Sequence, residues 1–292
     1  MNDSIKEAFA KFLLEEAGSS GRGTVSTYIR ALDVLNDALN LAPTTPVAQD
    51  DVWQIDSPQK LMVLQQFVVE QQREYVLTKS GIFSFLSSGG RSYYEKRWCS
   101  AALRQLAAFR QTTIYENALN AAFQGEKDGV NVSEKVRHSR IGTFSCFIPE
   151  NVKPDSKEGK DAVAVAKRRI NQSVFRKWIV GLYENRCCVT GLNVPEVLRA
   201  SHIVSWASDA QNRMNPSNGL CLSATYDAAF DRHLISFDED FRMVLSKRIR
   251  EFCDNASCSA YFLKMEGTQI RLPSRFLPDQ ELLEKHRSLL VS

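Results

Sequence analysis

The chain has 292 residues, which at roughly 150 residues per domain suggests two domains. Its composition, 43% hydrophobic and 24% charged, is that of a globular protein and excludes a disordered or fibrous one. A formal charge of +3 permits a nucleic-acid partner without predicting one, because a nearly neutral chain can still carry local basic patches.

The longest apolar stretches, such as 162–166 and 179–182, fall far short of the roughly 20 residues a membrane helix needs. The first residues, Met1-Asn2-Asp3-Ser4, show no basic region followed by an apolar run, so a cytoplasmic protein with no membrane partner is expected. Seven cysteines, an odd number, argue for reduced thiols over a disulfide framework.

In chain order, residues 1–125 read as an all-α domain, assigned to target recognition. A helix over 2–17 carries Ile5, Phe9, Phe12 and Leu13 at helical spacing and ends at Gly18-Ser19-Ser20-Gly21. A second begins near Thr24 and ends before Pro43 and Pro46. Ser57-Pro58 predicts the start of a third, serine as cap and proline in the first turn. Ser87-Ser88-Gly89-Gly90 reads as a loop, followed by one long helix over 92–123. Residues 126–160 read as an irregular linker broken by one apolar piece, 141–148, with strand character. From 161 to 292 the pattern is α+β: a helix from about 162 to 184, then short β-type runs at 197–203, 220–222, 234–237 and 243–245, mixed with short helices.

The chemistry concentrates between Cys187 and Asp240. A strand delivers Ser201 and His202 to its end, and a polar loop with Asn212, Arg213 and Asn215 follows. Asn218-Gly219 turns the chain into a second strand, and a helix then places Asp227 and Asp231 four residues apart on one face. Two carboxylates so placed are costly unless solvated or neutralised. A hard divalent cation, Mg2+ or Mn2+, would neutralise them better than zinc.

The stretch resembles the HNH endonuclease family, in particular its restriction-endonuclease-like branch. The matching pieces are Ala200-Ser201-His202-Ile203 with Trp206, Asn215-Pro216-Ser217-Asn218-Gly219-Leu220, and Asp227 through Phe230-Asp231 to Asp238. The spacings are 16 from His202 to Asn218, 9 from there to Asp227 and 4 on to Asp231. The resemblance implies a C-terminal ββα-metal nuclease domain and a metal-dependent enzyme that hydrolyses DNA phosphodiester bonds, of restriction or phage-defence type. It implies His202 as general base, Asn218 as the residue that holds the loop and histidine, and Asp227 as a metal ligand where the third signature histidine usually stands. Asp231 matches a further ligand position. Ser201 replaces a residue that is often a metal-binding Asp or His, and is a poor ligand. Paired Cys-x-x-Cys clasps are missing, since Cys187 and Cys188 are adjacent and Cys253 and Cys258 are five apart, so no structural zinc is expected.

For nucleic-acid contact, Arg213 is a candidate phosphate clamp. Residues 151–180 hold eight Lys or Arg against three acids, Lys167, Arg168 and Arg169 among them. Arg97 and Arg104, near Tyr94 and Trp98, form a second candidate face, with a plain core role as its rival. His233 reads as exposed and incidental. Double-stranded DNA is the expected substrate and a homodimer the expected assembly for double-strand cutting. Competing readings are a nuclease for RNA or for single-stranded or branched DNA, and a non-catalytic DNA-binding protein with a decayed site.

Overall fold

The computed structural model describes residues 2–17, 22–42, 51–87, 89–139 and 144–291. The predicted breaks at 18–21 and at Pro43 and Pro46, and Ser88 of the predicted loop, lie outside them. The chain divides into two compact units, Met1–Tyr115 with Ile141–Ala166, and Glu116–Arg140 with Lys167–Ser292. Among the described residues no helix is long and apolar enough to cross a membrane.

The first unit is helical: α1 (Asn2–Ala17), α2 (Arg22–Leu41), α3 (Pro58–Thr78), α4 (Arg91–Glu95) and most of α5 (Trp98–Gln124). Phe9, Leu35, Leu64, Phe83 and Leu103 are wholly buried in one apolar cluster. The Ser57 hydroxyl accepts from Lys60 N–H at the start of α3, as the Ser-Pro pair predicts. The helix expected over 92–123 is instead two. Arg97 adopts a left-handed backbone (φ 62°) that breaks the hydrogen-bond ladder between α4 and α5. The separate short α4 puts the Tyr94 ring on Phe83, with centroids 4.8 Å apart.

In the stretch expected to be irregular, α6 (Gly129–His138) is a helix capped by the Asp128 carboxylate, which accepts from Val130 N–H. The apolar piece at 141–148 forms no strand where described: Ser145–Phe147 is a 3-10 turn, and 141–143 lie outside the described residues.

The second unit is built on α7 (Lys157–Leu182) from Lys167 onward, whose buried face of Ile170, Val174, Phe175, Trp178 and Ile179 repeats every three to four residues. Trp178 stacks on Phe123 at 4.6 Å and donates its indole N–H to Asn120 at 2.8 Å. β1 (Leu198–His202) and β2 (Gly219–Ser223) pair antiparallel, His202 opposite Gly219 and Leu198 opposite Ser223. The helix α8 (Ala224–Asp231) follows β2 directly. A second hairpin, β3 (Ile235–Phe237) with β4 (Met243–Leu245), precedes short helices α9 (Lys247–Arg250) and α10 (Ala256–Tyr261) and the C-terminal α11 (Gln280–Arg287).

Two contacts fix this unit. At Gly219 an added Cβ would lie 2.4 Å from Ile179 Cδ1 and 2.9 Å from Phe175 Cζ, so β2 meets α7 closer than any side chain allows. His286 of α11 is buried on the Phe230 ring, with centroids 3.7 Å apart. It donates Nε2–H to the Phe230 carbonyl (3.0 Å), and its Nδ1 accepts from the Ser236 hydroxyl (2.9 Å). Burial, and secondly His233 beside it, push the His286 pKa down to about 4.

Gly219→Ala is expected to lower stability by about 1–3 kcal/mol, read as a falling Tm, and a smaller residue at Ile179 should recover part of the loss. The depressed His286 pKa favours the neutral ring in the folded state. Its contribution is full above about pH 6.5 and is lost as pH falls from there towards about 4, a loss on the order of 3 kcal/mol. Urea unfolding at neutral and acidic pH measures it, and His286→Phe should show a smaller acid loss than the unaltered chain.

Candidate active site

Asn218 closes the connection between β1 and β2. Fully buried, it accepts from Val204 N–H through Oδ1 (2.8 Å) and donates through Nδ2 to the carbonyls of Val204 (3.1 Å) and Asn212 (3.0 Å). It ends a polar ladder with a three-residue repeat. Asp209 accepts from Asn212 Nδ2 at 2.7 Å, and Asn212 Oδ1 accepts from Asn215 Nδ2 at 2.8 Å. The Asp209 carboxyl is held below its ordinary range, chiefly by the Asn212 side chain. A buried loop backbone must be paired, and short amide side chains do that here.

The ladder sets the histidine. His202 Nε2 lies 3.1 Å from the Arg213 carbonyl, an acceptor only, so the neutral ring carries its proton on Nε2 and presents Nδ1 as the basic nitrogen. The ring stacks on Phe175 (4.0 Å, 11°) and meets the Trp206 edge at 5.5 Å. Burial lowers the His202 pKa, partly offset by the Arg213 carbonyl, so the ring is neutral near pH 7.

Opposite, the buried Ser201 hydroxyl donates to Asp227 Oδ1. Asp231, one turn on, has its carboxyl pKa raised, first by withdrawal from bulk water and then by the Asp227 charge. His202, Ser201, Asp227 and Asp231 line one cleft of about 480 Å³ with Arg176 and Arg199. His202, expected as base, and Ser201, Asp227 and Asp231, expected as metal ligands, thus line one cleft, and Asn218 lies outside its lining.

The predicted nucleic-acid contacts are not among the residues that line this cleft. Arg213 donates Nε–H to the Trp206 carbonyl (2.8 Å) and lies over its ring, fastening the loop. Arg104 donates to the Cys146 carbonyl (3.1 Å) and pairs with Glu150 within the first unit, where Tyr94 is buried. Arg97 is the exposed residue of the α4–α5 break. Lys167, Arg168 and Arg169 lie on α7, and Arg168, exposed, is one turn before Gln172 on the cleft-lining face.

His233 corrects the sequence reading. It lines the cleft, its Nδ1 is buried with no hydrogen-bond partner among the described residues, and its left-handed backbone (φ 51°) turns the chain out of α8. Phe175, Arg199 and His286 were missed, and Arg176 was read only as one charge of the 151–180 cluster. Only the Phe-Arg step on the inner face of α7 gave a sequence signal, and it needed the fold to be read.

Among the described residues no cluster of three His, Cys, Asp or Glu stands ready for a metal ion. The donors present, two carboxylates and a hydroxyl, suit a hard, largely hydrated divalent cation rather than a tetrahedral zinc.

Residues 187–238 match a protein-family model described as HNH endonuclease. No curated protein matches the chain.

Asn218→Ala removes three hydrogen bonds from buried backbone and should cost about 2–4 kcal/mol. The same change should make the 203–218 loop cleavable by a protease at temperatures where the unaltered chain resists, which limited proteolysis reads directly.

Proposed function

We propose that the chain is a metal-dependent DNA endonuclease of restriction or phage-defence type with a ββα-metal active site, a reading supported by the match of residues 187–238 to a family model described as HNH endonuclease. One observation carries the reading: a neutral, Nε2-protonated His202 shares a cleft with the Asp227 and Asp231 carboxylates.

In this reading His202 Nδ1 takes a proton from the attacking water. The Arg213 carbonyl fixes the tautomer and Phe175 the ring plane, so little reorganisation accompanies the transfer. The new bond forms from the water oxygen to phosphorus while the bond to the 3′-oxygen breaks. Asp227 and Asp231, with Ser201 Oγ, would hold Mg2+ or Mn2+. When bound, the cation supplies Lewis-acid stabilisation of charge on the phosphate and the leaving oxygen. Ser201 also orients Asp227 through its hydrogen bond.

Arg168, then Gln172 and Arg176, run along one face of α7 towards the cleft, a path that suits a phosphodiester backbone. The helical first unit is the candidate for target recognition, since contacts to the backbone carry little sequence information. One cleft cuts one strand, so double-strand cutting calls for a homodimer.

The test is a cleavage panel of unmodified plasmid, cytosine-modified DNA, single-stranded DNA and structured RNA, each with EDTA, Mg2+ or Mn2+. Metal-dependent fragments from duplex DNA are expected, with His202→Ala slower by about 10²–10⁴-fold. Cutting of RNA alone would replace the DNA reading. No cutting of any substrate, with DNA still bound, would leave a binding protein with an inactive site. In thermal unfolding the unaltered chain should gain RT ln(1 + [M]/Kd) with Mg2+ or Mn2+, and Asp227→Asn should lose that gain.

A further inference from the structure

Arg176 and Arg199 converge on one atom. Arg176 comes from α7 and donates Nη1–H to the Leu198 carbonyl at 2.8 Å, and Nη2–H to the Pro195 carbonyl at 3.3 Å. Arg199 comes from β1 and donates Nη1–H to the same Leu198 carbonyl, also at 2.8 Å, and to the Glu196 carbonyl at 3.0 Å. Two nitrogens so close to a single oxygen stand within about twice that distance of each other. Among the described residues neither guanidinium is paired with a carboxylate. Both line the cleft of His202 and Asp227.

Like charges brought this close repel, and a single carbonyl dipole offsets that only in part. An anion between the two forks would remove the repulsion and use the N–H groups that the carbonyls leave over, since each guanidinium has five. The position also fits. Arg199 precedes Ser201 by two residues, so on a strand it points to the same face, displaced by about 7 Å along β1. A backbone running along β1 with one phosphate at Asp227 and Ser201 would bring a neighbouring phosphate to the arginine pair.

We propose that Arg176 and Arg199 form a paired phosphate seat that holds the substrate strand one step from the phosphate being cut. This rests on the nuclease reading and deepens it. The ligand chemistry is a phosphodiester monoanion, which either DNA or RNA can supply.

The experiment measures binding apart from cutting. Full-length chain in EDTA is titrated against fluorescein-labelled duplex DNA, single-stranded DNA and RNA of one sequence, over a series of KCl concentrations, by fluorescence anisotropy. Arg176→Gln, Arg199→Gln, the double variant and His202→Ala are compared with the unaltered chain, and the Tm of each is recorded. On duplex, log Kd against log salt should become shallower by about 0.9 for each arginine removed. His202→Ala should leave the slope unchanged while slowing cutting in Mg2+ by about 10²–10⁴-fold.

A slope and affinity unchanged in the double variant would overturn the seat. So would a fall in Tm with an unchanged slope, which would mean that the arginines only staple the Pro195–Val197 turn. Arg199 is exposed, so Arg199→Gln alone decides if the double variant fails to fold. A slope change on RNA but not on DNA would keep the seat and sink the DNA reading. His202→Ala that cuts at the rate of the unaltered chain would sink the proposed base and leave the seat standing.

Discussion

The β1–β2 connection is held by one amide. Asn218 is wholly buried at the mouth of β2, and its three hydrogen bonds reach both sides of the loop it ends. That pinning helps hold the loop from which the Arg213 carbonyl reaches His202. The carboxylates depend on the other end of the same strand pair. β2 runs without a break into α8, so the register that sets His202 opposite Gly219 also sets where Asp227 meets Ser201. Histidine and carboxylates are thus two ends of a single constraint, and Gly219 lets that constraint press against α7.

Much of this was legible because local rules decide it. Ser57-Pro58 announces a helix start wherever it sits. The short β-type runs and the Asn-Gly turn locate both hairpins to within a residue or two. The spacing of His202, Asn218, Asp227 and Asp231 carried the family, and the family match covers that same segment.

What was not legible depends on neighbours distant in sequence. The split at Arg97 accompanies the stacking of Tyr94 on Phe83, a contact between residues distant in sequence that periodicity alone does not reveal. Basic residues were readable as charges but not as partners. Arg213 turns to the Trp206 carbonyl and Arg104 to the Cys146 carbonyl, while Arg176 and Arg199 meet in the cleft. His233 and His286 look incidental in a linear reading, since their roles arise from α11 folding back onto the end of α8. The three-residue repeat of Asp209, Asn212, Asn215 and Asn218 was in plain view as letters, and it becomes meaningful only as a ladder.

The atom that fixes the His202 tautomer belongs to the backbone of residue 213, not to its side chain. Every amino acid carries that carbonyl, so the proton on His202 is insulated from the identity of residue 213. The Arg213 side chain is left to answer to Trp206 alone. In a lineage this position can therefore drift, reshaping the loop and its charge, without disturbing the proton arrangement of the neighbouring histidine. A substitution there changes the loop's charge and its packing on Trp206 but leaves the His202 tautomer as it is.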